Sequence, residues 1–138
     1  MPLDPLAKRL LTIMAAAGPA ARTRPSVEAR RQSLAKLMQF ARAAAPGIAT
    51  SDGMLPGPGG ELAYRLYAPE NAASRAPGFV FFHGGGLVAG SIQTHDRIAA
   101  GIAHESGCRL VSVDYRLAPE YKFPAAIDDA IEIGRAHV

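Results

Sequence analysis

The sequence predicts an α/β fold with an at least partly parallel sheet, and three observations carry that expectation. The run Phe79-Val80-Phe81-Phe82 is short, continuous and apolar, as a strand buried on both faces should be. Three glycines, Gly84-Gly85-Gly86, follow it almost at once, and a helix-period stretch runs from about Thr94 to Glu105. A second apolar run, Leu110-Val111-Ser112-Val113, then completes a strand–turn–helix–strand unit, the connection that joins parallel strands.

Length and composition bound the rest. At 138 residues the chain is one domain at most, or part of a larger one. A hydrophobic content of 49% and a charged content of 20% fit a globular chain and not a disordered one. Net charge is +3, and the arginines are concentrated early: Arg9, Arg22, Arg24, Arg30, Arg31 and Arg42. They have no interleaved aromatics, so no nucleic-acid partner is expected. Cys108 is alone, which forbids an internal disulfide and points to a reducing, cytoplasmic compartment. Between Gly107 and a strand it reads as a small hydrophobe, not a nucleophile.

No apolar run approaches the roughly 20 residues that span a bilayer, so stable membrane association is not expected. Lys8-Arg9 followed by Leu10–Ala17 imitates a signal peptide. A helix is the better reading. Asp4 can cap it, Pro5 suits its first position, and Leu6, Leu10, Ile13 and Ala17 share one face before Gly18-Pro19 ends it. A second helix runs from Ser26 to Ala45, stopped by Pro46-Gly47. Leu34, Leu37, Met38, Ala41 and Ala45 form its apolar stripe, with Arg30, Arg31 and Lys36 expected to face water.

Residues 50–60 turn to Gly, Pro and Ser and read as a linker or long loop. Glu61–Tyr67 alternates with period two, as a half-buried strand does, and residues 68–77 are a turn region. In the helix after the glycines, Ile98, Ile102 and Ala99 are expected to point inward. A last helix starts near Pro124 and carries Ile127, Ile131 and Ile133. The chain thus divides into a helical segment, 1–48, and an α/β segment, 49–138.

Glycines after a buried strand leave backbone amides uncovered, and such amides suit a negative charge. That charge is either a phosphate or the oxyanion of acyl transfer. Gly84-Gly85-Gly86-Leu87-Val88-Ala89 satisfies the G-x-G-x-x-A dinucleotide pattern, and Asp114 ends the next strand where a ribose-binding acid is expected. However, Asp114 lies 28 residues beyond Gly86, and Gly90-Ser91 interrupts the segment where the phosphate-binding helix should have begun. A lone pattern of this kind is weak.

A His83-Gly84-Gly85-Gly86 motif after such a strand resembles the oxyanion loop of lipases and esterases on the α/β-hydrolase fold. The resemblance extends to Asp114-Tyr115-Arg116-Leu117-Ala118-Pro119-Glu120 and to Phe123-Pro124-Ala125-Ala126-Ile127-Asp128-Asp129. Leu55-Pro56-Gly57-Pro58 leading into Leu62–Pro69 also looks like that family's first strand. Together these segments resemble the hormone-sensitive-lipase-like esterases, over about residues 55–130.

The resemblance implies that Gly85 and Gly86 supply oxyanion-hole amides, that Gly84 makes the turn, and that His83 supports the loop through its ring nitrogens. It implies a cap role for the helical segment 1–48, a small acyl ester as substrate, and neither cofactor nor metal. It also implies that Asp114–Glu120 fixes the loop. Leu87 stands where an aromatic residue is common in the family, which bears on the shape of the acyl pocket.

The fold's chemistry needs a serine on a G-x-S-x-G elbow, followed by an acid and a histidine. Within these 138 residues nothing after Gly86 fits, and Ala49-Thr50-Ser51-Asp52-Gly53 is only a near match ahead of the loop. His95, His104 and His137 read as surface or helix residues. The chain is therefore expected to be the N-terminal part of an esterase, truncated before its nucleophile and inactive as it stands. The alternatives are a non-catalytic remnant that binds a partner and a dinucleotide-binding βαβ module. Without the nucleophile strand, Phe79–Phe82 becomes a sheet edge with unpaired backbone groups, which opens a route to self-association.

Overall fold

The computed structural model describes residues 3–16, 25–39, 45–73, 75 and 77–135. Two helices come first, α1 (Pro5–Ala16) and α2 (Val27–Met38). They are followed by β1 (Ile48–Gly57), β2 (Gly60–Pro69), β3 (Gly78–Phe82), α3 (Ile92–Ser106), β4 (Arg109–Val113) and α4 (Ala125–Arg135). Asp4 caps α1, its carboxylate accepting from the amides of Leu6 at 2.9 Å and Ala7 at 3.1 Å. Ser26 caps α2 by accepting from Ala29 N at 3.1 Å. The predicted end of the first helix, at Ala17 and Gly18-Pro19, lies outside the described residues. The second helix ends earlier than expected: α2 stops at Met38, and Ala45, its predicted last residue, is not helical.

The sheet order is β1-β2-β4-β3. β3 and β4 run parallel, in register from Gly78↔Arg109 to Phe82↔Val113, so the βαβ unit is present. The other two pairings, β1 with β2 and β2 with β4, are antiparallel. The sheet is thus mixed, with the parallel pairing at one end. β3 is an edge strand among the described residues, as its position beyond β4 requires.

One expectation is overturned. Residues 50–60 are no linker: Ile48–Gly57 forms a strand paired with β2 from Ile48↔Pro69 to Gly57↔Gly60. Glycine and proline suggested a loop, but an edge strand needs donors on one side only and tolerates both. Half-burial at Gly53, Leu55 and Gly57 shows the alternation that the composition hid.

Two apolar clusters cover the sheet's faces. On one, Tyr67 and Leu110 pack with Ala99, Ala100 and Ala103 of α3, flanked by Phe81, Ile48 and Ala45. On the other, Leu62 and Val113 pack with Ile133 of α4, flanked by Tyr64, Val80 and Val111. On α3, Ala99 is buried as expected, but the two isoleucines are not. Ile98 and Ile102 are each 37% exposed, while the three alanines are buried with Ile92. The bulkier isoleucines looked like the core stripe, but the small residues let the helix lie close on the sheet. In α4, Ile133 is buried while Ile127 and Ile131 are exposed.

α4 is fastened through Asp129, whose side chain is fully buried. Its carboxylate accepts from Arg116 N at 2.9 Å, Arg116 Nη2 at 2.7 Å and Arg116 Nε at 2.9 Å. Arg116 Nη2 also donates to Ala125 O at 3.3 Å, so one guanidinium ties the start of α4 to the strand-end loop after β4. Removing one partner of such a pair strands a buried charge. Arg116→Ala, which leaves the buried Asp129 without its guanidinium, is therefore expected to lower unfolding free energy by about 3 kcal/mol, read as a drop in the urea midpoint. A loss under about 1 kcal/mol would show that Asp129 finds water or a proton instead.

Candidate functional site

The glycine turn leaves the end of β3 and folds back on itself before α3 begins. Gly85 has φ +137°, Gly86 +66°, Leu87 +61° and Gly90 +103°. At Gly85 a side chain would collide with the carbonyl of Ala89. At Gly90 it would strike His83 Nδ1 and lie 2.5 Å from Gly84 O, so the two ends of the turn meet across the histidine. Leu87 adopts a left-handed conformation without being glycine, at a cost of about 1 kcal/mol or more.

Outside contacts hold this backbone. His83 is buried, and its Nδ1 lies 3.0 Å from Gly84 O; a carbonyl only accepts, so Nδ1 carries the proton. Tyr115 donates its hydroxyl to His83 O at 2.6 Å and stacks on the ring, centroids 4.5 Å apart. The other side of His83 stacks on His95 at 5.3 Å. His83 is thus the middle ring of three. Its Nε2 lies 4.0 Å from Asp114 Oδ1, which accepts from Ile92 N at 2.7 Å. Further along, Ala118 N donates to Leu87 O at 2.9 Å, and Arg31 Nε donates to Val88 O at 2.8 Å.

Within the turn, Val88 N reaches Gly85 O only at 3.5 Å. Among the described residues, the amides of Gly85 and Gly86 have no protein acceptor. A neighbouring hollow of about 510 Å³ is lined by Phe82, Leu87, Tyr115, Ala126, Ile127 and Ile131. The four predicted residues His83, Gly84, Gly85 and Gly86 are therefore brought together in one turn, beside an apolar hollow.

The start of α3 bears on the phosphate alternative. Ala89, the last position of the dinucleotide pattern, lies in the turn, and the helix begins at Ile92. Ser91 Oγ accepts from Thr94 N at 3.1 Å, Thr94 Oγ1 accepts from Ser91 N at 2.9 Å, and Asp114 takes the Ile92 amide. The helix end is capped by its own side chains, and Asp114 is engaged there instead of being free for a ribose.

Two residues escaped the sequence reading. His95, read only as a surface or helix residue, lies on α3 and is buried. Burial, and then the neighbouring His83, hold its pKa below the usual imidazole value. Its spacing from Ile92 and Ala99 was the available signal, since all three fall on one helix face. Arg31, expected to face water, points into the turn and pairs with Glu120 at 2.7 Å. No local pattern marks a partner 89 residues away. Of the other sequence candidates, Ser51 sits exposed on β1 opposite Leu66, His104 is exposed on α3, and His137 lies outside the described residues. Among the described residues no group of three His, Cys, Asp or Glu side chains is placed to hold a metal ion, and no helix is long and apolar enough to cross a membrane.

The α/β-hydrolase fold family matches residues 79–136, the stretch that holds the turn, α3, β4 and α4. The chain has part of the α/β-hydrolase fold. Acetyl esterases from Salmonella are 33% identical over 107 residues, covering 78% of this chain and 32% of theirs. A hyperthermophilic esterase from Pyrobaculum calidifontis is 37% identical with a TM-score of 0.81, covering 99% of this chain and 44% of that one. An ester hydrolase from the Lake Arreo metagenome, complexed with a bipyridine phosphonate derivative, is 35% identical with a TM-score of 0.84. It covers 98% of this chain and 44% of its own. This α/β-hydrolase chain thus spans about a third of the length of its curated relatives.

The buried His95 makes stability depend on pH in a defined direction. Its folded pKa is lowered, so below about pH 6.5 the unfolded chain takes up protons that the folded chain refuses. This contribution is complete above about pH 6.5 and is lost as pH falls through the lower folded value. The urea midpoint is expected to decline from pH 7.5 to 5, with a shallower decline in His95→Asn. An unchanged slope in the variant would assign the dependence to other groups.

Proposed function

We propose that this chain supplies the oxyanion-binding part of a carboxylic-ester hydrolase acting on small acyl esters. The observation that carries the reading is the pair of successive amides, Gly85 and Gly86, without a protein acceptor among the described residues, just beyond the end of a parallel strand. In acyl transfer the carbonyl oxygen gains negative charge as a nucleophile attacks, and fixed N–H dipoles aimed at it lower the barrier. Losing one such donor typically costs about 10²–10³ in turnover. Gly84 makes the turn that presents the amides, and His83 supports it through the Gly84 carbonyl and the ring stack. Esterase names among the relatives support the same reaction class.

The helical segment 1–48 would serve as a cap. The nucleophile, acid and base are not identified among the 138 residues: no serine here stands in a G-x-S-x-G setting. Donors alone hydrolyse nothing, so the chain by itself is expected to leave p-nitrophenyl butyrate intact. Hydrolysis that survives purification and disappears in Ser51→Ala would place the nucleophile on β1 instead. Joined after Arg135 to the aligned remainder of the Pyrobaculum esterase, the chain is expected to turn the ester over. A chimaera that melts cooperatively yet shows no turnover would overturn the hydrolase reading. The lone Cys108, half-buried, suits a reducing cytoplasm.

Self-association belongs to the same reading. The outer edge of β3 is unpaired among the described residues, with Phe79 and Phe82 partly exposed and neither lysine, proline nor bulge to guard it. The isolated chain is expected to elute above monomer size or aggregate, and Val80→Lys to raise the soluble monomer fraction. A monodisperse, cooperatively melting monomer of the unaltered chain would remove the edge from consideration.

A further inference from the structure

Among the described residues, the hydrogen bonds between the helical arm and the glycine turn come from one side chain, Arg31, that uses almost all of its donors. Arg31 Nε donates to Val88 O at 2.8 Å, and Nη2 donates to Ala118 O at 3.3 Å. Nη1 and Nη2 also hold Glu120 as a two-bonded fork, at 2.8 Å and 2.7 Å. Such a planar fork fixes orientation as well as charge, which an ammonium group does not. One guanidinium thereby links three pieces: α2, the second half of the turn, and the loop after β4.

Among the described residues, α2 has no fully buried side chain. A further polar contact, from Arg97 Nη1 to Gln39 O, is long at 3.4 Å. The turn depends on contacts from outside it. Its left-handed Leu87 sits between two carbonyl contacts, Ala118 N to Leu87 O at 2.9 Å and Arg31 to Val88 O. Arg30, next in sequence, brings its Nη2 within 3.5 Å of where a side chain on Gly86 would begin. Seating the arm therefore also sets a cation beside the two acceptor-free amides.

Building on the hydrolase reading, we propose that Arg31 is a positioning residue, coupling the seating of the arm to the conformation of Gly85 and Gly86. The turn is held in its left-handed shape only while the arm is docked, so arm closure and completion of the anion site are one event. Arg31 itself is not required to touch the reacting atoms.

Hydrogen exchange on the 138-residue chain tests the coupling without any assumption about the reaction. The reporters are the Ala118 amide and the 84–91 segment, with the β4 amides Leu110–Val113 as internal reference. Arg31→Ala is expected to speed exchange at Ala118 at least roughly tenfold while β4 stays unchanged. Arg31→Lys should fail to restore it, and Glu120→Gln, which leaves the Val88 bond in place, should fall between. Equal acceleration in β4, or full rescue by lysine, would overturn the proposal and leave a general stabilising charge.

In the active chimaera, Arg31→Ala should lower kcat roughly tenfold with KM within about twofold. An unchanged kcat beside faster exchange would refute the positioning role. An inactive parent chimaera would instead sink the hydrolase reading and leave the exchange result standing.

Discussion

Four left-handed residues within a six-residue turn cannot hold themselves in place. Gly85, Gly86, Leu87 and Gly90 form no helix or strand, and the turn's own amide contact is the 3.5 Å reach from Val88 to Gly85. Its shape has to be imposed from outside. His83 and Tyr115 anchor the entry, Asp114 and Ser91 fix the exit at the start of α3, and Ala118 and Arg31 hold the middle. Half of these partners, Tyr115, Asp114 and Ala118, come from the segment just after β4, which the parallel pairing with β3 brings alongside. The sheet register is thus what makes an otherwise unsupported turn a defined object.

This explains why the sequence revealed the turn and missed its supports. A strand followed by glycines is a local signal, readable from Phe79 to Gly86, and the βαβ unit around it follows from periodicity. The fold class and the position of the glycine turn were legible on that basis. What failed depended on context. β1 was hidden because its prolines and glycines mark a loop in a central strand but are harmless at an edge. The alanine face of α3 lost to Ile98 and Ile102 because hydrophobicity ranks bulk, whereas packing against a sheet rewards fit. Arg31 and His95 owe their roles to partners remote in sequence, which no window contains.

The ion pairs lie around the turn, while the Arg30 guanidinium stands beside Gly86. Arg65 is engaged by Asp52 at 2.6 Å and Asp96 at 2.7 Å, and Arg116 by Asp129. Glu120, held by Arg31, has its pKa lowered to about 2, so this clasp persists until strongly acid pH. Each of these pairs fastens an element of the scaffold: β1 to β2 and α3, α4 to the loop after β4, and the arm to the turn. Ion pairing here is joinery around a neutral turn whose polar capacity stays open.

The alanine face of α3 has a further consequence. Ala99, Ala100 and Ala103 set how near the helix axis can come to the sheet, and His95 rides on the same face. The ring of His95 meets His83 only because that separation is short. The helix therefore works as a gauge: a methylene added at any of the three alanines lifts His95 as a lever would, and the base of the turn registers the displacement. In this chain Ile98 and Ile102, which look like core, leave more room for substitution than the inconspicuous alanines beneath them.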